Sequence, residues 1–98
     1  MSNKQIHFEW DLQKNNENID KHGISFVVAQ YAFKDPKRVI ALDRKHSTSK
    51  EKRYFCYGKV NNYVATIRFT LRKGNIRLFG AGFWRNGRNI YYEKNKIH

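Results

Sequence analysis

Ninety-eight residues carry 20 Lys+Arg against 8 Asp+Glu, a formal charge of +12. One domain over residues 1–98 is expected, long enough to bury about 60–65% of its unfolded surface and to fold without cross-links. With 40% hydrophobic and 15% aromatic residues, the chain is too apolar for a disordered tail. Its single cysteine, Cys56, excludes an internal disulfide and the usual zinc sites.

No run of 18 apolar residues marks a membrane span, and Met1 to Gln5 lack an apolar signal core. The expectation is a cytoplasmic domain with no membrane contact. Ile6-His7-Phe8-Glu9-Trp10 alternates as a short strand. Asp11 can N-cap a helix over roughly 12–22, with His22 favourable at its C-terminal dipole and Gly23 as the left-handed stop. Ser25 can cap a second helix burying Phe26, Ala29, Ala32 and Phe33, ended by Asp35-Pro36. Residues 39–42 read as a strand and 43–51 as a polar loop containing His46 and Ser47.

Three strands follow at 52–60, 63–72 and 75–81, joined by the two-residue turns Asn61-Asn62 and Lys73-Gly74. Turns of that length set the register. Tyr54 then opposes Phe69, Cys56 opposes Ile67, Gly58 opposes Ala65, Leu71 opposes Ile76 and Phe69 opposes Leu78. The other face collects Arg53, Thr70 and Arg77 in one row and Phe55, Arg68 and Phe79 in the next, with Arg72, Tyr57 and Lys59 further along. Residues ~86–96 complete the chain as a helix capped by Asn86, with Gly87 in its first turn. Trp84 reads as core or as a base platform. Tyr92 reads as packing or as a proton donor near phosphate.

Charge is unevenly spread. Residues 1–43 hold six basic and six acidic groups, whereas 44–98 hold 14 basic groups against Glu51 and Glu93. Such asymmetry suits a polyanionic partner. Guanidinium forks match phosphate oxygens and aromatic rings stack unpaired bases, so the face fits single-stranded RNA better than duplex. No helix concentrates the basic charge needed for a DNA major groove. Phe55 and Phe79 can alternatively support a helix laid across the sheet, with the arginines at its margin.

Phe8-Glu9-Trp10-Asp11, Lys14, Asn18, the run from Lys21 to Phe26, Ala29, Phe33 and Asp35-Pro36 resemble the opening of BrnT-type toxins. Asp43, His46-Ser47, Glu51, Arg53, Gly58, Thr70-x-Arg72, Ile76-Arg77 and Tyr92-Glu93 continue the likeness. Gly80-Ala81-Gly82-Phe83 departs from it, standing where the family commonly carries a basic segment.

The resemblance implies a small α+β, RelE-like domain: an antiparallel sheet of four or five strands, two N-terminal helices and a C-terminal helix. It implies the toxin of a type II toxin–antitoxin pair, a metal-independent endoribonuclease that inhibits translation and needs no cofactor. Its partner would be a ribbon-helix-helix (BrnA-like) antitoxin, in a heterotetramer around an antitoxin dimer, with DNA contacted only through the antitoxin. Catalysis is then expected from Arg53, Arg72 and Arg77 on phosphate charge, with His46 or Tyr92 moving the proton. RNA binding is expected from Arg68, Phe55, Tyr57, Lys59, Arg85 and Arg88. A non-catalytic basic module binding RNA or an acidic antitoxin is the alternative.

Overall fold

A computed structural model of the chain describes residues 6–96; the reading of Met1 to Gln5 lies outside them. The elements are β1 (Phe8–Trp10), α1 (Leu12–His22), α2 (Phe26–Ala29), a 3-10 helix (Gln30–Lys34), β2 (Val39–Leu42), β3 (Arg53–Val60), β4 (Tyr63–Arg72), β5 (Asn75–Gly82) and α3 (Arg85–Asn95). They form the expected α+β fold around one sheet in the order β1-β5-β4-β3-β2. Strands β2 to β5 are antiparallel. β1 joins in parallel beside β5, returning from the opposite end of the chain.

Both turns have the expected length, with Val60 opposite Tyr63 and Arg72 opposite Asn75. Asn61, Lys73 and Gly74 take positive φ there, as tight hairpins require. The pairs expected for Tyr54, Cys56, Gly58, Leu71 and Phe69 are all present. One row differs. A bulge between Arg68 and Phe69 sets Arg68 opposite Gly80 rather than Phe79. Phe79 is the extra residue, and Gly80 leaves room for the Arg68 stem, whose Cδ would lie 3.3 Å from a Cβ there.

Period-2 alternation divides the side chains of the central strands between two faces. On one face Cys56, Ala65, Ile67, Phe69 and Leu78 are buried under Ile24, Phe26, Ala29 and Ala32. Asp11 and Ser25 cap their helices through side-chain bonds to the N–H groups of Lys14 and Val28. The second helix is not one continuous α-helix: after Ala29 it tightens to 3-10 geometry. Ala32 then lies directly on β3, and a Cβ at Gly58 would collide with the Ala32 carbonyl. Asn18 fastens α1 to β5. Its amide donates to the Ile24 and Ala81 carbonyls at 2.8 and 3.0 Å and accepts the Ala81 N–H at 3.1 Å.

The opposite face is covered only in part, by α3, which buries Tyr91 against Tyr57 and Val64. This helix starts at Arg85 with Trp84 in the cap position, not at Asn86. Trp84 is already extended (φ −116°, ψ 144°), and its ring fills the space that a side chain at Gly82 would need. Gly87 lies in the first turn, where a Cβ would collide with Thr66 Oγ1. Asp35 locks the layers together, accepting the Lys59 N–H at 2.9 Å and the Tyr91 hydroxyl at 2.7 Å on one oxygen, and the Lys37 N–H at 2.9 Å on the other.

Candidate functional site

Because α3 covers only one end of its face, the other end is left open, and four arginines gather there. Arg53, Thr70 and Arg77 form one row across β3, β4 and β5. The guanidinium groups of Arg53 and Arg68 both sit over the Phe79 ring, 4.6 and 5.2 Å from its centroid. A ring face attracts cations and spaces them. Arg77 donates to Glu9 at 2.7 Å and Arg53 Nε to Glu51 at 3.0 Å. Each bond uses one edge of a five-donor fork and leaves the rest available. The Arg77 bond holds the Glu9 carboxyl below the usual range, with Asn75 and Arg72 assisting. Among the described residues no ion pair holds Arg68 or Arg72.

Arg72 is exposed at the end of β4. It lines a cleft of about 460 Å³ with Lys50, Lys52, Lys73, Glu51 and Thr70. Four cations against one carboxylate extend the positive surface around the edge of the sheet.

His46 joins this cluster through the loop after β2. Val39 and Ala41 oppose Tyr57 and Phe55, and the same alternation carries Asp43 alongside Arg53, where its N–H donates to the Arg53 carbonyl at 2.7 Å. Asp43 is 4% exposed. Its Oδ2 lies 2.8 Å from His46 Nδ1, and its other oxygen accepts the His46 N–H. Burial pushes the Asp43 carboxyl up, but the bonds from His46 and the charge of Arg68 outweigh it and hold the group below its ordinary value. A carboxylate on Nδ1 selects the tautomer that presents Nε2 as an acceptor. The His46 side chain is 44% exposed, so that nitrogen has access to a ligand. Ser47 is a structural residue: its hydroxyl donates to the Asp43 carbonyl and accepts the Arg53 N–H.

The other expected residues lie elsewhere. Tyr57 is 4% exposed beneath α3, so it is a packing residue and not an open platform. Phe55 stacks on it at 5.8 Å between centroids and is half-buried at the border of the open region. Tyr92 lies with Lys59, whose Nζ is 5.8 Å from its ring. Lys59 is six residues along β3 from Arg53, roughly 20 Å at strand rise, so Tyr92 does not join the arginine cluster. Arg85 and Arg88 border a separate cleft of about 190 Å³ at the start of α3 with Tyr63, Phe83 and Trp84. Trp84 is 41% exposed and packs edge-on against His22.

Asp43 was missed by sequence reasoning. Its signal was available, since residues 39, 41 and 43 alternate onto the arginine face. Among the described residues no group of three or more His, Cys, Asp or Glu is arranged to hold a metal ion.

The sheet thus carries a basic, half-open face with an oriented imidazole at its margin. The family model described as the ribonuclease toxin BrnT of type II toxin–antitoxin systems matches residues 10–86. The chain belongs to the BrnT toxin family. A type II toxin of this kind has an antitoxin partner. A search of curated proteins returned no match. No helix among the described residues is long and apolar enough to cross a membrane.

Proposed function

We propose that this BrnT protein is a RelE-like, metal-independent endoribonuclease that acts in the cytoplasm and arrests translation by cutting RNA. The observation that carries the reading is the Asp43–His46 pair, tied to Arg53 beside the other arginines by the bond from the Asp43 N–H to the Arg53 carbonyl. His46 Nε2 takes the proton from a ribose 2′-hydroxyl as its oxygen attacks the adjacent phosphorus. The bond from phosphorus to the 5′ oxygen breaks, and that oxygen leaves with a proton from solvent. The products are a 2′,3′-cyclic phosphate and a 5′-hydroxyl.

Charge builds on the non-bridging oxygens in the transition state, and Arg53, Arg77 and Arg72 meet it. Donors of this kind contribute about 2.7–4 kcal/mol each when well placed. Arg68 and Phe79 hold the flanking strand. Neutralisation by a ribbon-helix-helix antitoxin, in a heterotetramer built on an antitoxin dimer, is part of the same proposal; DNA is then touched only through that partner. The +12 charge supports an acidic surface on the partner.

The test is induction in a bacterial host with mapping of RNA 5′ ends and of amino-acid incorporation. Growth arrest with new cleavage sites is expected, abolished in His46→Ala and Arg77→Ala proteins that keep their fold. Normal growth with intact RNA overturns the catalytic reading and leaves a module that binds without chemistry.

A further inference from the structure

Trp84 is the wall between two clefts. The smaller, of about 190 Å³, continues past Phe83, Arg85 and Arg88; the larger, of about 420 Å³, past Phe55, Arg68 and Asn86. Below the larger one the Thr66 hydroxyl is sealed under Gly87, with no hydrogen-bond partner among the described residues. What the clefts offer a ligand therefore stands on their walls. The Trp84 ring is fixed on two sides. Three adjacent carbons of its six-membered ring, Cη2, Cζ2 and Cζ3, lie at the similar distances of 2.5, 2.7 and 2.8 Å from where a Cβ on Gly82 would be, so the ring turns one face to that glycine. His22 packs against it edge-on, with centroids 5.0 Å apart. Trp84 is nonetheless exposed, which leaves the outer face of the ring to solvent. Cations flank it, Arg68 on the side of the larger cleft and Arg85 and Arg88 on the side of the smaller. Among the described residues none of the three is in an ion pair, and no carboxylate lines either cleft.

We infer that the outer face of Trp84 is a stacking platform for one unpaired base of a bound RNA strand. Arg68 meets the phosphate on one side of that base, and Arg85 and Arg88 meet the phosphate on the other. A nucleotide in a strand is a flat ring between two anions, and the order arginine, ring, arginine is its complement. Single strands are held by such rings in basic grooves, whatever their sequence, whereas the bases of a duplex are already stacked on each other. An acidic protein segment would satisfy the arginines but leaves the fixed ring between them without a use. Arg68 makes the platform continuous with the arginine cluster, since its guanidinium lies over Phe79 while the residue lines the cleft beside Trp84. Gly82 pairs with Thr66 and Arg77 with Thr70, so the ring over Gly82 stands four β4 residues from the row of Arg53 and Arg77, roughly 13 Å at strand rise. The base on Trp84 therefore belongs to a nucleotide set back from the phosphate to be cut. The inference rests on RNA being the ligand of the open face but not on its being cut.

Two measurements test it on the full chain. Trp10 and Trp84 are its two tryptophans, and Trp10 packs on Phe26 at the closed face, so Trp10→Phe leaves Trp84 as the reporter. A single-stranded RNA oligonucleotide, made uncleavable by 2′-O-methyl groups and followed by anisotropy, should quench Trp84 fluorescence in step with binding. Polyglutamate, which carries negative charge without bases, should leave the fluorescence unchanged. The second measurement compares that oligonucleotide with one whose nucleotides are abasic throughout. Trp84→Leu should weaken binding of the first about tenfold and of the second not at all, and Trp84→Phe, which keeps a ring, should restore most of the loss. RNA that binds without quenching overturns the platform and leaves the RNA reading standing, whether or not the leucine variant folds. Equal weakening of both oligonucleotides in a folded Trp84→Leu protein does the same. Quenching by polyglutamate to the extent seen with RNA assigns the surface to an acidic protein partner and also overturns it. A parent that binds no RNA removes the reading on which the platform rests, and the platform with it. Quenching by RNA that the parent never cuts upholds the platform and overturns the catalytic proposal.

Discussion

Strands β3, β4 and β5 give the sheet two faces that differ in what lies over them. One is closed by α1, α2 and the 3-10 helix, and Cys56, Ala65 and Ile67 are fully buried there. The other is closed only where α3 crosses Tyr57 and Val64, and beyond that edge the residues at the same alternation are Arg53, Arg68 and Arg77. The closed face is held by apolar area and by three bonds from Asn18. On the open stretch, positive charge is held by Phe79, Glu9 and Glu51 instead. On the proposed function, stability and chemistry fall on opposite sides of the same strands, and substitutions should separate them.

The largest separation is expected at His46. General-base catalysis typically contributes 10²–10⁴-fold, so His46→Ala should lower the cleavage rate by about that factor. Its imidazole is exposed and makes one side-chain bond, so Tm should move little. Asp43→Asn, which keeps the side-chain volume but weakens the hold on Nδ1, should lower the rate less. A large fall in Tm for His46→Ala would show that the loop belongs to the core and not to the site.

Glycine substitutions break the comparison in the other direction. Each face has one glycine where a helix lies on the sheet: Gly58 in the strand under Ala32, and Gly87 in the helix over Thr66. At Gly58 the obstacle is backbone, which cannot rotate away, so Gly58→Ala should cost about 3 kcal/mol or more in chemical denaturation. At Gly87 the nearest obstacle is a side-chain hydroxyl. Gly87→Ala should cost about 1–3 kcal/mol, and part of it should return in the double variant with Thr66→Ala. Equal costs at the two glycines would mean that both contacts are equally rigid.

The closed face was legible in the sequence because apolar alternation and two-residue turns leave only one register that buries Cys56, Ile67 and Phe69. The same arithmetic brought Arg53, Thr70 and Arg77 into one row. It failed at Phe79, because a bulge adds a residue without altering composition, and here it depends on the space that Gly80 gives to Arg68. Alternation carries Asp43 onto the arginine face, but the approach of His46 to it comes from a turn held by Ser47 and the backbone of Arg53, where no period applies. Tyr57 alternates with Phe55 and Arg53, and nothing local to it says that α3 stops between them. Thr66 looked like any polar residue of a half-buried strand. Its missing partner is visible only once Gly87 lies above it.

Asp35 joins the two sides, and it offers the smallest and most selective prediction. Its carboxylate accepts from Lys59 on β3, from Tyr91 on α3 and from Lys37 in the turn after the 3-10 helix. Burial raises its pKa, but those bonds outweigh burial and the net value lies below the ordinary 3.8. A depressed folded value means that the charged form stabilises the fold: the contribution is complete above the unfolded value and is lost as pH falls through the folded one. Asp35→Asn keeps the shape but turns a donor-bearing NH2 toward groups that need acceptors. At pH 7 it should cost about 1–2 kcal/mol, limited by solvent screening at a half-exposed position. Glu9 and Asp43 are also depressed, but both proteins retain them, so the difference between parent and variant isolates Asp35. That difference should stay constant from pH 7 to about pH 5 and narrow below pH 4 as the parent's carboxylate takes up its proton. A gap that keeps its width down to pH 2.5 would mean that Asp35 holds α3 to the sheet by shape alone, with its charge contributing nothing.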